Sequence, residues 1–553
     1  MERPSASDRR WLVVILVVTA AAYLPTLGNG YVWDDVPLIV QNALFDAPFN
    51  PRTAFFTDLW AGAAIGDEAA SGYFRPLMVA SLWVDHGLGG HAAVAHLHSL
   101  VWHLVAVALA FRLGARVGGP SVALAGAVAL ALHPAQSEAV MWVAARNDLM
   151  AAVFGLLGVV LVTGDRPRPM WAVLAAVCAG LSKESVFLMP VAAAMMLRWG
   201  AQPLDWRSVG RRLVPLVVGL GLVVGLRMGL GVGGARGPSA EGAALVSRSV
   251  PALVGWLGWK LAVPWPLSSG YVLEYLDRLS RAGLVAGGLG VLGGAVLVAV
   301  RGGRVGRLAL GWGVLFLAPT AWALATTGWM GERYLYLSML GVGWGLGALV
   351  DIRSGPARVV VGVLGLSWAV QLGLRTADWK TDATLWQSAW MATPSPFTAE
   401  SLGHALRGAE GPEAAVPWFV RALDDDKPLS TACGPLMRSA VGSGKMVRAV
   451  QLGHWAHARG CRDPEFHGWR ALTLASTGRW GKLEVLLDDA GSDPGGRLDI
   501  ARAALALVAH DDDAYAEVEA RWTGARPLRP QAEALVANAT RHAPVVPAED
   551  PMR

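Results

Sequence analysis

Charged side chains set among long apolar stretches are the residues of this 553-residue chain best suited to chemistry. Tyr31-Val32-Trp33-Asp34-Asp35 follows directly on the apolar segment Trp11 to Leu27. Two adjacent carboxylates at the edge of a membrane helix are costly unless they meet water, a cation or a substrate. Further charges recur as Arg75 in Tyr73-Phe-Arg-Pro-Leu, as His133, Glu138, Arg146 and Asp148, as Lys183 and Glu184 in Leu-Ser-Lys-Glu, and as Glu332 and Arg333 beside Tyr334. Arg75, Arg146, Lys183 and Arg333 suit a phosphate or pyrophosphate headgroup, whose oxygens take charge-assisted bonds from guanidinium forks and an ammonium. A carboxylate of Asp34 or Asp35 beside them can take the proton of an attacking hydroxyl while the cations hold the charge growing on a departing phosphate. His133, Glu138, Asp148, Glu184, Glu332 and Tyr334 would line such a site.

Each charge also has a structural reading. Arg146 with Asp148, Lys183 with Glu184, and Glu332 with Arg333 can be pairs that fix helix ends, and Glu138, Trp142 and Arg146 at i, i+4, i+8 suit an ion pair or a site wall. His96, His98 and His103 lie in an apolar helix and read as hydrogen-bonded packing residues. Asp34, Asp35 and Glu138 or Asp148 could offer oxygen ligands to a divalent cation, although no spacing requires one.

The elements that must carry these residues are membrane helices. The chain is 54% hydrophobic and 16% charged, with mean hydropathy +0.41, against about a quarter charged for a soluble domain. Its net charge of +5 is small and scattered, which excludes nucleic acid as a partner. Spanning segments are predicted at 11–27, 92–114, 119–136, 147–164, 169–182, 184–199, 211–230, 283–300, 306–326, 334–350 and 356–374, about eleven crossings. Arg3, Arg9 and Arg10 open the chain like a signal sequence, but no small-residue cleavage site follows, so the first segment reads as an uncleaved helix. Arg9 and Arg10, Arg112 and Arg116, Arg166 and Arg168, Arg198 to Arg212, Arg301 to Arg307, and Arg353 with Arg358 occupy alternate connections, which are therefore cytoplasmic. The outer connections are then 28–90, 133–148, 181–185, 231–282 and 327–333, provided that 249–266 does not cross. All five charged segments fall on that outer side.

After Arg375 the apolar runs shorten and charge increases, giving a membrane domain over 1–375, with the acidic motif in outer loop 28–90, and an extracytoplasmic domain over 376–553. Gly411, Gly444 and Gly478, spaced 33 and 34 apart, each open a probable helix, and the acidic turn Asp511 to Asp513 comes one period later. That is the period of tetratricopeptide helix pairs, here degenerate. Trp379, Trp386 and Trp390 share a helix face, either as a core stripe or as a seat on the membrane part. Cys433 and Cys461 read as free thiols unless their domain meets an oxidising compartment. The tail Ala543 to Arg553 reads as loose.

Trp33-Asp34-Asp35, Phe74-Arg75-Pro76-Leu77, His133-Pro134 with Glu138-Ala-Val-Met-Trp142-Val and Arg146-Asn-Asp148, Leu181-Ser-Lys-Glu184 and Glu332-Arg-Tyr-Leu-Tyr336 occur in an order that resembles the transmembrane and tetratricopeptide-repeat O-mannosyltransferases and their bacterial relatives. These are GT-C class membrane glycosyltransferases. The resemblance covers about residues 11 to 390 and implies an all-α polytopic GT-C fold followed by helical repeats. It further implies a polyprenyl-phosphate donor of mannose or another hexose, an exported protein acceptor held by the repeats, and inverting transfer to Ser or Thr. By comparison with related enzymes the first acid, Asp34, is the base and Asp35 an orienter or metal ligand. The fit is to a bacterial inner-membrane protein, N-terminus in the cytoplasm and C-terminal domain outside.

Two other readings stand beside this one. The same chemistry on a lipid or surface-glycan acceptor would survive loss of 376–553. A non-enzymatic scaffold has no need of charges from five segments on one face, and a transporter is expected to place its ionisable groups near mid-membrane with internal symmetry.

Overall fold

The computed structural model describes residues 6–63, 72–200, 202–231, 239–273, 280–351, 354–489, 496–524 and 526–541. Arg3, Arg353 and the tail from Ala543 lie outside them. Two compact units divide the chain, Met1–Ser388 and Ala389–Arg553. The compositional boundary at 375/376 thus falls inside the first unit, where Trp379 and Trp386 are buried.

Both units are helical, and the described strands are limited to the two-residue pair Tyr271–Val272 and Trp329–Met330, antiparallel with Tyr271 opposite Met330. All eleven predicted segments fall on helices. Seven helices among the described residues are long and apolar enough to cross a membrane: Arg9–Gly28, Ala92–Gly118, Val143–Thr163, Trp206–Leu230, Arg281–Arg301, Gly303–Thr327 and Gly355–Asp378. The chain is an integral membrane protein. Pro120–Leu132, Pro169–Gly180 and Ser338–Leu349 are apolar but shorter, and Met189–Trp199 has only 11 residues. Ala240–Ala262 has the length to cross, yet it carries Glu241, Arg248 and Lys260 and is not among the seven.

The short helices explain where the site lies. Twelve or 13 residues rise about 18–20 Å, against about 30 Å of hydrocarbon. Each is continued by a broken segment of short turns and irregular chain: 133–145 after Pro120–Leu132, which includes the five-residue helix Ser137–Met141, 181–188 after Pro169–Gly180, and 328–337 before Ser338–Leu349, which includes the strand Trp329–Met330. Non-helical backbone at membrane depth is tolerated only where protein encloses it or a wet cavity borders it. The enclosing wall is tight. A methyl group on Gly343 would lie 2.6 Å from the Ala125 carbonyl oxygen, and one on Gly347 would lie 2.6 Å from Val122 Cα, a small-xxx-small contact that lets Ser338–Leu349 press against Pro120–Leu132. Arg116 and Arg212 hold the other end of Arg146–Thr163, donating to the Val160 carbonyl at 2.7 Å and the Gly164 carbonyl at 2.7 Å. Cations suit that helix C-terminus, where carbonyls lack partners.

The second unit stacks helix pairs. Pro396–Ala409 pairs with Pro412–Leu423, Cys433–Gly442 with Met446–Ala458, Pro464–Ser476 with Trp480–Asp489, and Arg497–Ala509 with Asp512–Ala520, and Leu528–Arg541 packs on the last pair. Gly411, Gly444 and Gly478 are the turn residues inside the first three pairs, at φ +103°, +74° and +69°. The sequence period is thus the recurrence of a backbone conformation that favours glycine. His510 holds the fourth turn at φ +54°. Trp390 belongs to this unit, edge-on to Trp418 at 5.4 Å.

Cys433 and Cys461, whose pairing the sequence leaves dependent on the compartment, form a disulfide across 28 residues, their Cα atoms 5.7 Å apart. The helix pair they bracket folds back on itself and brings together two thiols that are distant in sequence.

Because nothing crowds Gly444, Gly444→Ala is expected to cost about 1 kcal/mol through backbone strain alone, while His510→Gly gains about 0.5–1 kcal/mol. Thermal unfolding of the detergent-solubilised chain measures both; an unchanged midpoint in each would show that these turns carry no strain.

Candidate functional site

The acidic loop leaves the first helix through the 3-10 turn Leu24–Gly28 and is held from several sides. Asn29 Nδ2 donates to the Thr376 carbonyl at 3.1 Å, Gly30 N to the Lys380 carbonyl at 3.0 Å, and Trp33 N to Asp382 Oδ1 at 2.6 Å. A ring nitrogen of His96 lies 3.2 Å from the Gly30 carbonyl. Trp33 takes φ +56°, unusual for a bulky residue and worth about 1–2 kcal/mol of strain. Its ring is stacked on Trp142 at 4.3 Å and tilted against Trp329 at 4.4 Å, and Trp386 meets it edge-on at 5.2 Å. Those contacts and the Asp382 bond offset the strain.

That geometry separates the two acids. Asp35 is fully buried, its Oδ1 accepting from Ala144 N at 2.7 Å and its Oδ2 from Val32 N at 3.3 Å. Burial pushes it up to about 8 against the pull of those N–H groups. Asp34 is half-buried and its carboxylate accepts no hydrogen bond among the described residues. Burial pushes Asp34 up to about 6, opposed by Arg333 and aided by Asp382. A base is most effective with its pKa near the working pH.

Lys183 and Arg333 come from the segments that continue the short helices, and Arg75 from the end of the acidic loop. Arg75, just before Pro76–Gly87, pairs with Glu184 at 3.4 Å and lies 4.5 Å above the Tyr73 ring. Its Nε is buried without a partner among the described residues. Lys183 donates to both oxygens of Asp148, at 2.6 and 2.7 Å. Arg333 pairs with Glu138 and lies 4.9 Å from the rings of both Trp142 and Tyr334. Glu138 also accepts from the backbone N of Glu332 at 2.5 Å. Arg75 and Arg333 both act electrostatically on Lys183. Three of the four expected cations therefore form one group, with Asp34 within reach of Arg333.

Arg146 does not join them. It is fully buried, paired with Asp85 at 2.6 Å and donating to Ser99 at 3.1 Å, Ser81 at 3.2 Å and the Ala95 carbonyl at 2.8 Å. A guanidinium so saturated is a structural cross-link. His133 is enclosed as well, accepting from Ala135 N at 3.3 Å with its ring edge-on to Trp368 at 4.9 Å. Glu332 is fully buried, accepts from Ser268 N at 2.9 Å and faces Arg375 at 3.8 Å. Neither lines an open site; the bundle needed their polar groups inside. The carboxylates considered for a cation do not fit one. Glu138 is spent on Arg333 and backbone, Asp35 on backbone, and no three His, Cys, Asp or Glu converge as ligands among the described residues.

Arg227, Asp85 and Asp382 escaped the sequence reading. Arg227, in the last turn of Trp206–Leu230, donates to Glu184 at 3.3 Å and takes the place expected of Arg146. Its signal was an arginine at the end of a spanning helix that the charge alternation reads as outer, against the positive-inside bias. Asp85, a lone acid in the apolar helix Pro76–Gly87, was a similar signal. Nothing local marks Asp382, whose role arises from a contact across almost the whole membrane domain. His96, His98 and His103 are hydrogen-bonded packing residues, to Gly30, Asp85 and Tyr336.

The fold and site define an all-α polytopic membrane protein with an unspent carboxylate beside a cluster of cations at one end of its bundle. The chain is similar to proteins named protein O-mannosyl-transferase: one of Caenorhabditis elegans at 25% identity over 227 residues, covering 40% of this chain and 32% of that protein. Tmtc2 of Drosophila melanogaster is 38% identical over 138 residues, covering 24% of this chain and 15% of that protein. TMTC3 of Mus musculus is 29% identical over 146 residues, covering 26% and 16%. The resemblance read from the motifs is thus to the TMTC O-mannosyltransferase family, and the matched part spans a third or less of these relatives. No protein-family model and no solved structure matches the chain.

Arg146→Gln leaves Asp85 buried without its cation, an expected loss of about 3–5 kcal/mol, seen as loss of folded protein on gel filtration in detergent. Arg227→Gln is expected to keep the fold, since Glu184 retains Arg75. A stable Arg146→Gln chain would return Arg146 to the list of binding residues.

Proposed function

We propose that the protein is a glycosyltransferase that moves a hexose, mannose or a close analogue, from a polyprenyl phosphate to a Ser or Thr hydroxyl of an exported protein. The observation that carries this reading is the unspent Asp34 carboxylate within reach of Arg333, a cation that groups with Lys183 and Arg75, Arg75 sharing Glu184 with Arg227. The names of the relatives support the sugar and the protein acceptor. Asp34 takes the proton of the acceptor hydroxyl as its oxygen bonds to the sugar C1, and the bond from C1 to the phosphate oxygen breaks on the opposite face, inverting that carbon. The departing polyprenyl phosphate gains charge that the four cations hold. Each cation is already oriented by a carboxylate, Glu184, Asp148 or Glu138, and its remaining N–H groups, the orphaned Arg75 Nε first among them, meet the phosphate.

The site opens to the outer face of a bacterial inner membrane, the N-terminus lies in the cytoplasm, and the helical domain lies outside. The Cys433–Cys461 disulfide supports an oxidising compartment for that domain. The stacked helix pairs supply a surface to hold a polypeptide.

Asp34→Asn is expected to lower transfer from a polyprenyl-phosphate sugar by about 10²–10⁴-fold with the chain still folded; unchanged transfer would refute the assigned base. The base works only when ionised, so transfer by the parent chain should fall as pH drops through about 6, and an activity flat across that range would remove Asp34 from the reaction. Transfer surviving deletion of 389–553 would point to a lipid or glycan acceptor.

A further inference from the structure

We propose that a cavity at the end of the bundle opposite Asp34 binds the phosphate headgroup of an anionic phospholipid. The cavity measures about 490 Å³, and its wall includes Val162 and Pro169 together with Ser208, Arg211, Arg212 and Pro215 of Trp206–Leu230. Two helices run from the site to this cavity. Arg146–Thr163 begins where Asp35 accepts from Ala144 N and reaches the cavity at Val162. Trp206–Leu230 carries Arg227 in its last turn and the cavity arginines near its start. The helix rises about 22 Å between Arg212 and Arg227, so the cavity is separate from the cation group around Glu184.

Its cations differ from those of the site. Arg75, Lys183, Arg227 and Arg333 each face a carboxylate, whereas Arg211 and Arg212 form no ion pair among the described residues. Arg212 Nη1 donates to the Val162 and Gly164 carbonyls at 3.2 and 2.7 Å, and Arg211 Nη2 donates to Ser208 Oγ at 3.3 Å. A guanidinium has five N–H donors, so both keep donors beyond these bonds. Arg211 is exposed and Arg212 half-buried, and a headgroup can reach each. The bordering chain, 162–169 and 198–215, holds six arginines against Asp165 and Asp205. Asp205 is engaged at the helix start, accepting from Ser208 N at 2.7 Å. The net charge of the surroundings therefore calls for an anion.

The apolar neighbours make that anion a lipid. Trp171, Trp199 and Trp206, near the ends of the helices that meet here, are exposed, and indoles concentrate at the headgroup level of a membrane. Met170, Leu174, Val214 and Val217, in the early turns of Pro169–Gly180 and Trp206–Leu230, are exposed as well and offer acyl chains a surface. A soluble phosphate would use the arginines alone; a phospholipid uses the arginines and the apolar faces beside them. Basic pockets between membrane helices take anionic headgroups in this way, through charge-assisted bonds to the phosphate oxygens. Charge alternation reads this end as cytoplasmic, so the lipid belongs to the cytoplasmic leaflet.

The full chain in detergent is titrated with dioleoyl phosphatidylglycerol and, separately, with dioleoyl phosphatidylcholine, and native mass spectrometry counts the bound lipid. Each cation near an anionic headgroup strengthens binding about fivefold. Phosphatidylglycerol is therefore expected to bind at least about tenfold more tightly than phosphatidylcholine, and Arg211→Gln with Arg212→Gln to abolish that preference. Arg301→Gln with Arg304→Gln, at exposed positions of another basic connection, is expected to keep it. Equal binding of the two lipids, a preference that survives in the first double variant, an equal loss in the second, or displacement by inorganic phosphate at lipid-like concentrations would overturn the proposal. Because Arg212 also holds the end of Arg146–Thr163, Arg211→Gln alone decides the matter if the double variant fails to fold, with an expected loss of about fivefold. The readout is lipid binding without sugar transfer, so this site stands or falls independently of the proposed reaction.

Discussion

The membrane domain depends on one constraint: charged, non-helical chain inside a helix bundle must be enclosed and partnered. Pro120–Leu132, Pro169–Gly180 and Ser338–Leu349 are too short to cross by themselves, and the segments that complete them carry Glu138, Lys183, Glu184, Glu332 and Arg333, whose partners come in part from neighbouring helices. Removing an ion from water costs several kcal/mol even after relaxation, so these segments persist because Asp85 meets Arg146, Glu138 meets Arg333, Asp148 meets Lys183, and Glu184 meets both Arg75 and Arg227.

On the proposed function, pairing of that kind turns a structural necessity into a prepared site. Carboxylates fix each cation in place while leaving it unused donors, so a phosphate would meet groups already oriented. Asp34 stands apart because its neighbours do the holding. Trp33 is pinned by Asp382 and by three indoles, and Asp35 is bonded to the 143–145 turn. The carboxylate between them is left without a hydrogen bond among the described residues. Strain at Trp33 is tolerated where the surroundings over-determine it, a pattern found at functional sites.

In the helical domain the same economy appears in backbone form. Gly411, Gly444 and Gly478 repeat because a positive φ repeats, which is why the period was legible although the repeat is degenerate. Packing positions in a stacked repeat accept many apolar residues; a left-handed turn accepts few residue types. His510 shows the limit of that signal, since the fourth turn keeps the conformation without the glycine.

The sequence by itself determined the helices, their apolar faces, the repeat period and the clustering of charge at one end of the bundle, because these follow from hydropathy, charge alternation and local backbone preference, each read within a few turns of chain. Which charges were spent and which remained was decided by tertiary structure. Arg146 and Arg333 look alike in sequence, yet one is saturated by Asp85, Ser81, Ser99 and Ala95 and the other stands beside Asp34. Asp34 and Asp35 are neighbours, yet only Asp35 meets the N–H of Ala144. Arg227 and Asp382 enter, and Cys433 joins Cys461, through contacts between residues far apart along the chain. A side chain's chemistry depends on the donors, acceptors and charges within a few ångströms of it, and folding alone chooses those.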